Sequence, residues 1–154
     1  MYLIDTNIML AILFDEPRAN NCSKLFGKIE NRELEALITI FSIYSAGIAG
    51  IRNKKAKKLR EFLTYLSSLE NVEILTTTIE ENIEITQICE KEKLDFDEGM
   101  QYFMAKKFDC KGIVSYDKDF DKTDLKRILP EEIVAELQNG FDAAKNTTKS
   151  EGEQ

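Results

Sequence analysis

Histidine is absent from the 154-residue chain. That excludes a Ser-His-Asp triad, a Cys-His pair, histidine zinc sites and imidazole proton transfer. Any catalysis must run on carboxylates, metal-activated water, Lys, Tyr or Cys. Cysteine is also scarce. Cys22, Cys89 and Cys110 are odd in number and far apart, so they form neither a metal-ligand spacing nor a disulfide framework and read as small reduced hydrophobes. No apolar run approaches the ~20 residues of a membrane span. The first residues lack the basic-then-apolar pattern of a secretory signal. The reading is a cytoplasmic protein with no membrane segment. There are two prolines and seven glycines, and neither a linker nor an internal repeat is visible. A single domain over residues 1–140 is expected, followed by a flexible polar tail at 141–154 without periodicity.

Acids are missing from one long stretch. None occurs between Glu35 and Glu61, although the chain as a whole carries a net charge of −7. That overall charge argues against a generally sticky nucleic-acid binder. Inside the acid-free stretch, however, the run from Arg52 to Arg60 holds six cations. Arg52, Lys54, Lys55 and Lys58 read as a surface for RNA phosphates. The same spacing equally suits a solvated helix face with Leu59 turned inward. Tyr44 and Tyr102 are candidates for base stacking, or for ordinary packing.

The remaining pattern alternates short apolar runs with helical periodicity. Strands are expected at 2–5, 36–38, 72–75, 112–115 and 127–129. Helices are expected at 7–14, 18–29, 39–51, from the basic run to 69, at 79–91, after Asp97, and from Pro130. Thr77 or Thr78 suits the cap of the fifth. Strands separated by helices predict an α/β sandwich with a mainly parallel sheet.

Two of the apolar runs end abruptly in acids. Tyr2-Leu3-Ile4-Asp5-Thr6-Asn7 is one; Ile113-Val114-Ser115-Tyr116-Asp117-Lys118-Asp119-Phe120 is the other. In an open parallel sheet, ligands collect outside the carboxyl ends of the strands. Distant strands can therefore bring such carboxylates together, as hard-oxygen ligands for Mg²⁺ or Mn²⁺. Asp97 and Glu98, at a helix start, add to the set. Each acid also has a local explanation: Asp5 or Asn7 as a helix cap, Asp97 and Glu98 at a helix dipole, Asp117 and Asp119 as turn formers.

These segments, together with Leu94-Asp95-Phe96-Asp97-Glu98-Gly99-Met100-Gln101-Tyr102-Phe103-Met104-Ala105, resemble the PIN-domain ribonucleases, which include the toxins of many prokaryotic toxin–antitoxin pairs. Order, spacing and length agree from residue 2 to about residue 138. The resemblance implies a PIN-like three-layer α/β/α sandwich and metal-dependent hydrolysis of RNA. Asp5, Glu98 and Asp117 would be its catalytic acids. Asp5, Asp97, Glu98, Asp117 and Asp119 would be its Mg²⁺ or Mn²⁺ ligands, and Asn7 and Ser115 supporting residues. It further implies RNA, an antitoxin protein and a second copy of the chain as partners.

The chain departs from the family pattern twice. The third acid, usually Asp, aligns with Glu98, with Asp97 one residue and about 100° of helix away. The second acid, a Glu four residues before a Gly, falls on Ser45 or Ala46, neither acidic. The alternative is therefore a degenerate PIN-like domain that binds RNA or a protein without cutting. A third reading, an aspartyl-phosphate enzyme or receiver-like domain, lacks the Asp-x-Asp start and a strand-end Lys.

Overall fold

The computed structural model describes residues 1–150, with side chains as far as Gly140. Five strands, β1 (Tyr2–Ile4), β2 (Ala36–Thr39), β3 (Val72–Leu75), β4 (Ile113–Val114) and β5 (Arg127–Ile128), form a sheet ordered β3-β2-β1-β4-β5. Every pairing is parallel. Between and after them run α1 (Thr6–Leu13), α2 (Ala19–Glu30), α3 (Ile40–Arg52), α4 (Ala56–Ser67), α5 (Ile79–Glu92), α6 (Phe96–Lys107) and α7 (Pro130–Ser150). A 3₁₀ turn spans Lys118–Lys122. The tail expected from 141 overlaps the last turns of α7, and residues 151–154 lie outside the described residues.

The central strands are apolar on both faces because both faces are covered. Ile4, Ile38 and Val114 point into a core with Ile8, Leu25, Phe26, Phe62 and Ile133, drawn from α1, α2, α4 and α7. Their neighbours Leu3, Leu37 and Ile113 point the other way, against Met104 and Ala105 of α6 and Phe120 of the 3₁₀ turn. The result is the expected three-layer α/β/α arrangement. Strand alternation of period two places each successive residue in the opposite layer.

Local signals fix the helix starts. Thr39 is the N-cap of α3, its Oγ1 accepting from Ser42 N at 3.1 Å. Thr78, rather than Thr77, closes a reciprocal capping box with Glu81 on α5. The sixth helix begins at Phe96, ahead of its expected start, because Asp95 caps it in a second such box with Glu98. Gly99 lets α6 lie directly on α5: a Cβ there would collide with Cys89 Sγ.

Gly112 holds the β4–β5 seam together. A Cβ at this position would run into the Lys126 carbonyl oxygen and come within 2.9 Å of Ile128 Cδ1. Backbone of the paired strand cannot step aside as a flexible side chain can. Gly112→Ala is therefore expected to destabilise the protein by about 2 kcal/mol or more, in the range of overpacked cores. Urea unfolding monitored by circular dichroism would read this as a lower midpoint at unchanged slope.

Candidate active site

The sheet order reverses at β1: β2 and β3 lie on one side of it, β4 and β5 on the other. The crevice beyond the carboxyl ends of β1 and β4 is thus the topological switch point, where open α/β sheets place ligands. The ladder continues one residue past each strand. Asp5 N donates to Val114 O at 3.1 Å, and Ser115 N to Ile128 O at 3.1 Å. Asp5 and Ser115 therefore emerge side by side. Ser115 Oγ donates to Asp5 Oδ2 at 2.5 Å, and Asn7 Nδ2 donates to the same oxygen at 2.5 Å. Asn7 Nδ2 also reaches Ser115 Oγ at 3.0 Å. Asp5 occupies the N-cap position of α1, yet its side chain makes no cap hydrogen bond. Its carboxylate, 5% exposed, is committed to the crevice.

The first turn of α6 separates the two adjacent acids. Glu98 turns back on the cap, its Oε2 accepting from Asp95 N at 2.8 Å. Asp97 points to the sheet. Gln101, four residues on and on the same helix face, donates through Nε2 to Asp97 Oδ1 at 3.1 Å and to Asp5 Oδ1 at 2.9 Å. Thr6 Oγ1 donates to Ser42 Oγ at 2.8 Å. Asp97 Oδ2 stands 3.5 Å from Thr6 Oγ1, at the outer limit for a hydroxyl already spent elsewhere.

On the α3 side the site meets hydroxyls. Ser42 lies 2.9 Å from Thr39 Oγ1 as well as bonding Thr6. Ser42 thus enters the network one turn before the expected position, while Ala46 is packed in the core. No carboxylate is supplied from α3.

At the rim, Glu98, Asp117 and Asp119 each offer a carboxylate oxygen, all within 4.8 Å of one another. The loop geometry is local in origin. Asp117 N donates to Ser115 Oγ at 2.8 Å, and Asp117 Oδ1 caps the 3₁₀ turn through Asp119 N at 2.9 Å. Lys122 pairs with Asp119 at 2.5 Å. Three hard-oxygen donors this close suit a divalent cation such as Mg²⁺ or Mn²⁺. The five acids therefore fall into two tiers, an inner pair of Asp5 and Asp97 and an outer trio. Gln101, Thr6, Ser42 and Lys122 are the members of this network to which the sequence pattern assigns no role.

The electrostatics follow from the geometry. Burial raises the Asp5 pKa, opposed by the Ser115 and Gln101 hydrogen bonds and reinforced by the nearby Asp117 charge. Burial likewise pushes Asp97 up to about 6, with Asp5 and Asp95 adding repulsion and Gln101 and Thr6 opposing it. Glu98 is raised by burial and by its acidic neighbours, although the Asp95 amide works against this. Asp119 is lowered by Lys122.

The cations of the basic run stand apart from the acids. Lys55 is 3.9 Å from Asp15, and Lys58 pairs with the same carboxylate. Arg52 and Lys54 carry no ion pair among the described residues. Ten residues of α3 separate Ser42 from Arg52, which at the helical rise places the stripe about 15 Å from the crevice. Tyr44 is exposed on α3, whereas Tyr102 O–H donates to Asp124 at 2.8 Å.

The raised Asp97 pKa makes stability depend on pH. Between its ordinary 3.8 and about 6 the folded protein keeps a proton that the unfolded chain has already released. The contribution is complete below pH 3.8 and is lost as pH rises to about 6. For a partly exposed group this amounts to about 2 kcal/mol. In EDTA, Asp97→Asn is expected to lack this decline. Urea midpoints taken from pH 4 to pH 7 should show the variant gaining on the native chain as pH rises.

No curated protein matches this sequence. Among solved structures, the chain is similar to PAE2754 from Pyrobaculum aerophilum, with 19% identity, a TM-score of 0.66, and coverage of 90% of this chain and 95% of that one. It is also similar to a toxin–antitoxin complex from Klebsiella pneumoniae, with 15% identity, a TM-score of 0.61, and coverage of 84% and 98%. At such identities the likeness is one of fold. The sequence model of the PIN domain matches residues 2–126, a span that begins with β1 and runs past the outer acids. The chain belongs to the PIN domain family.

Proposed function

We propose that the protein is a metal-dependent endoribonuclease acting as the toxin of a toxin–antitoxin pair. One observation carries the reading. Asp5 is buried at the end of the central strand without serving as a cap, and four further acids converge on the same edge. Family membership and the toxin–antitoxin neighbour support it.

Asp5, Asp97, Glu98, Asp117 and Asp119 are the residues that would hold Mg²⁺ or Mn²⁺. Such an ion, when bound, supplies Lewis acidity toward a phosphate and lowers the pKa of water. Ser115 and Asn7 fix the orientation of the Asp5 carboxylate. Lys122 tempers the charge at Asp119 and leaves the rim less repulsive to an incoming phosphate. Arg52, Lys54, Lys55 and Lys58 would hold the strand away from the point of cleavage. The pairs that Lys55 and Lys58 make with Asp15 are exposed and weak, so RNA phosphates can compete for both.

Two protein partners belong to the same reading: an antitoxin and a second copy of the chain. Tyr44, Ile48 and Ile51 support an apolar contact, since all three are exposed at helical spacing on one face of α3. The non-catalytic alternative draws on the α3 side of the crevice, where hydroxyls stand in place of a second acid.

Cleavage of a labelled single-stranded RNA with Mn²⁺ or Mg²⁺ tests the proposal. Asp5→Asn is expected to reduce cleavage on the order of 100-fold or more, above the effect of outer-shell partners, and EDTA to abolish it. Activity untouched by Asp5→Asn would remove the catalytic reading in favour of binding alone. The basic stripe has its own test. The double substitution Arg52→Ala, Lys54→Ala is expected to weaken RNA binding irrespective of sequence. It should also flatten the slope of log Kd against log salt by about 1.4. An unchanged slope would mark the stripe as a solvated helix face.

A further inference from the structure

Gln101 is 1% exposed and sits between α6 and β1. Its two amide protons go to two different carboxylates, Asp5 Oδ1 at 2.9 Å and Asp97 Oδ1 at 3.1 Å. Its Oε1 has no hydrogen-bond partner among the described residues. The amide orientation is dictated by the anions, because the opposite one would set Oε1 against both carboxylates. The fold thus accepts a buried, unpaired acceptor, ordinarily a cost, in order to present both donors to the acids. Other donors do not make this link. Ser115 and Asn7 hold only Oδ2 of Asp5, and Thr6 stands 3.5 Å from Oδ2 of Asp97.

We propose that Gln101 is the positioning residue of the acidic site: an uncharged clamp that holds the Asp5 and Asp97 carboxylates side by side when no cation is bound. A buried and a half-buried anion reached by one side chain otherwise need a cation or a proton between them. A carboxamide reduces that need, since it donates to both without carrying charge. Its hydrogen bonds oppose the rise in pKa of each acid, as a clamp of this kind requires. The native fold is then independent of metal at this pair. Without the clamp it becomes metal-dependent. The cation dependence rests on the nuclease reading of the site, whereas the clamp itself does not.

Thermal unfolding of the full chain tests both parts, with the native protein, Gln101→Met, Asp97→Asn and the double variant each measured in EDTA and in Mn²⁺. Methionine keeps the length and helix propensity of glutamine and removes the donors. In EDTA at pH 7, Gln101→Met is expected to lower Tm by about 5–10 °C. In the Asp97→Asn background the same substitution should cost less than half as much, because one of the two anions is gone. Equal losses in both backgrounds would overturn the clamp, since independent sites add. If Gln101→Met alone fails to fold, a cooperative transition in the double variant supports the proposal, and its absence overturns it. Mn²⁺ should restore at least half of the Gln101→Met loss while raising the native Tm by less. A purely packing role would leave the two shifts equal. Coupling in EDTA with no Mn²⁺ shift in any protein would uphold the clamp and defeat the metal-site reading.

Discussion

Burying the Asp5 carboxylate at the end of β1 would cost several kcal/mol if its oxygens found no donors, and most of the surrounding architecture answers that demand. Parallel pairing of β1 with β4 delivers Ser115 to one oxygen, and the first residue pair of α1 delivers Asn7 to the same one. The other oxygen is reached from across the sheet layer by Gln101 of α6. Three separate segments of chain, residues 5–7, 101 and 115, must therefore be in register for a single side chain to be tolerated. A cap role would have needed only the local backbone. Asp5 instead declines the cap its position offers, so its carboxylate is held by side chains from three segments and not by a cap hydrogen bond to α1.

The same contrast explains what can be read from the sequence. The succession of apolar runs, helix spacing and the acids at strand ends are all local patterns. They anticipate the α/β sandwich with its parallel sheet and the segments that meet at the crevice, while the three-layer arrangement is what the family resemblance adds. Where the pattern is ambiguous, the deciding fact lies in the contacts. Asp97 and Glu98 are adjacent, and nothing in their spacing says which faces the sheet. The Asp95–Glu98 capping box decides it by drawing Glu98 back over the helix start. That box is legible as Asp-x-x-Glu ahead of an apolar run, and the pattern by itself implies the outward path of Glu98. Gln101 lies one turn beyond Asp97, so its helix face is legible too. Its bond to a residue 96 positions away is not. Ser42 is hidden for a different reason: the family pattern directs attention to Ser45 and Ala46, while the hydroxyl that meets Thr6 comes from the preceding turn.

Two tiers of acids follow from this division. In the inner pair Asp5 is buried and Asp97 half-buried, and both are neutrally clamped and raised in pKa. The outer trio is nearer solvent and partly balanced by Lys122. A missing carboxylate on α3 lowers the negative charge facing the inner pair, which is the tier least able to bear more. Adding an acid there would increase the repulsion that Gln101 and the hydroxyls now offset. The substitution of hydroxyls along Thr39, Ser42 and Thr6 and the presence of a bridging carboxamide are thus physically consistent with each other. Both lower the charge density of the crevice and both lessen its dependence on a bound cation for stability.

A crevice lined by five acids repels the polyanion it would cleave, and the remedy lies in distance. At physiological ionic strength, fields of exposed charges fade over about 8 Å. Arg52, at the end of α3, lies about 15 Å along the helix from Ser42 at the crevice, nearly two such lengths. Each region therefore presents its own local potential in spite of the net charge of −7. A strand held by Arg52 and Lys54 would gain its affinity from released counterions there and feel little of the acidic edge until it bends into it. At the edge itself, Lys122 is the cation paired with the rim acids among the described residues, and it is already engaged by Asp119. An approaching phosphate would consequently need positive charge beyond what that pair leaves free. A divalent ion held among the five acids would supply that charge, which is the electrostatic case for a metal in the proposed nuclease.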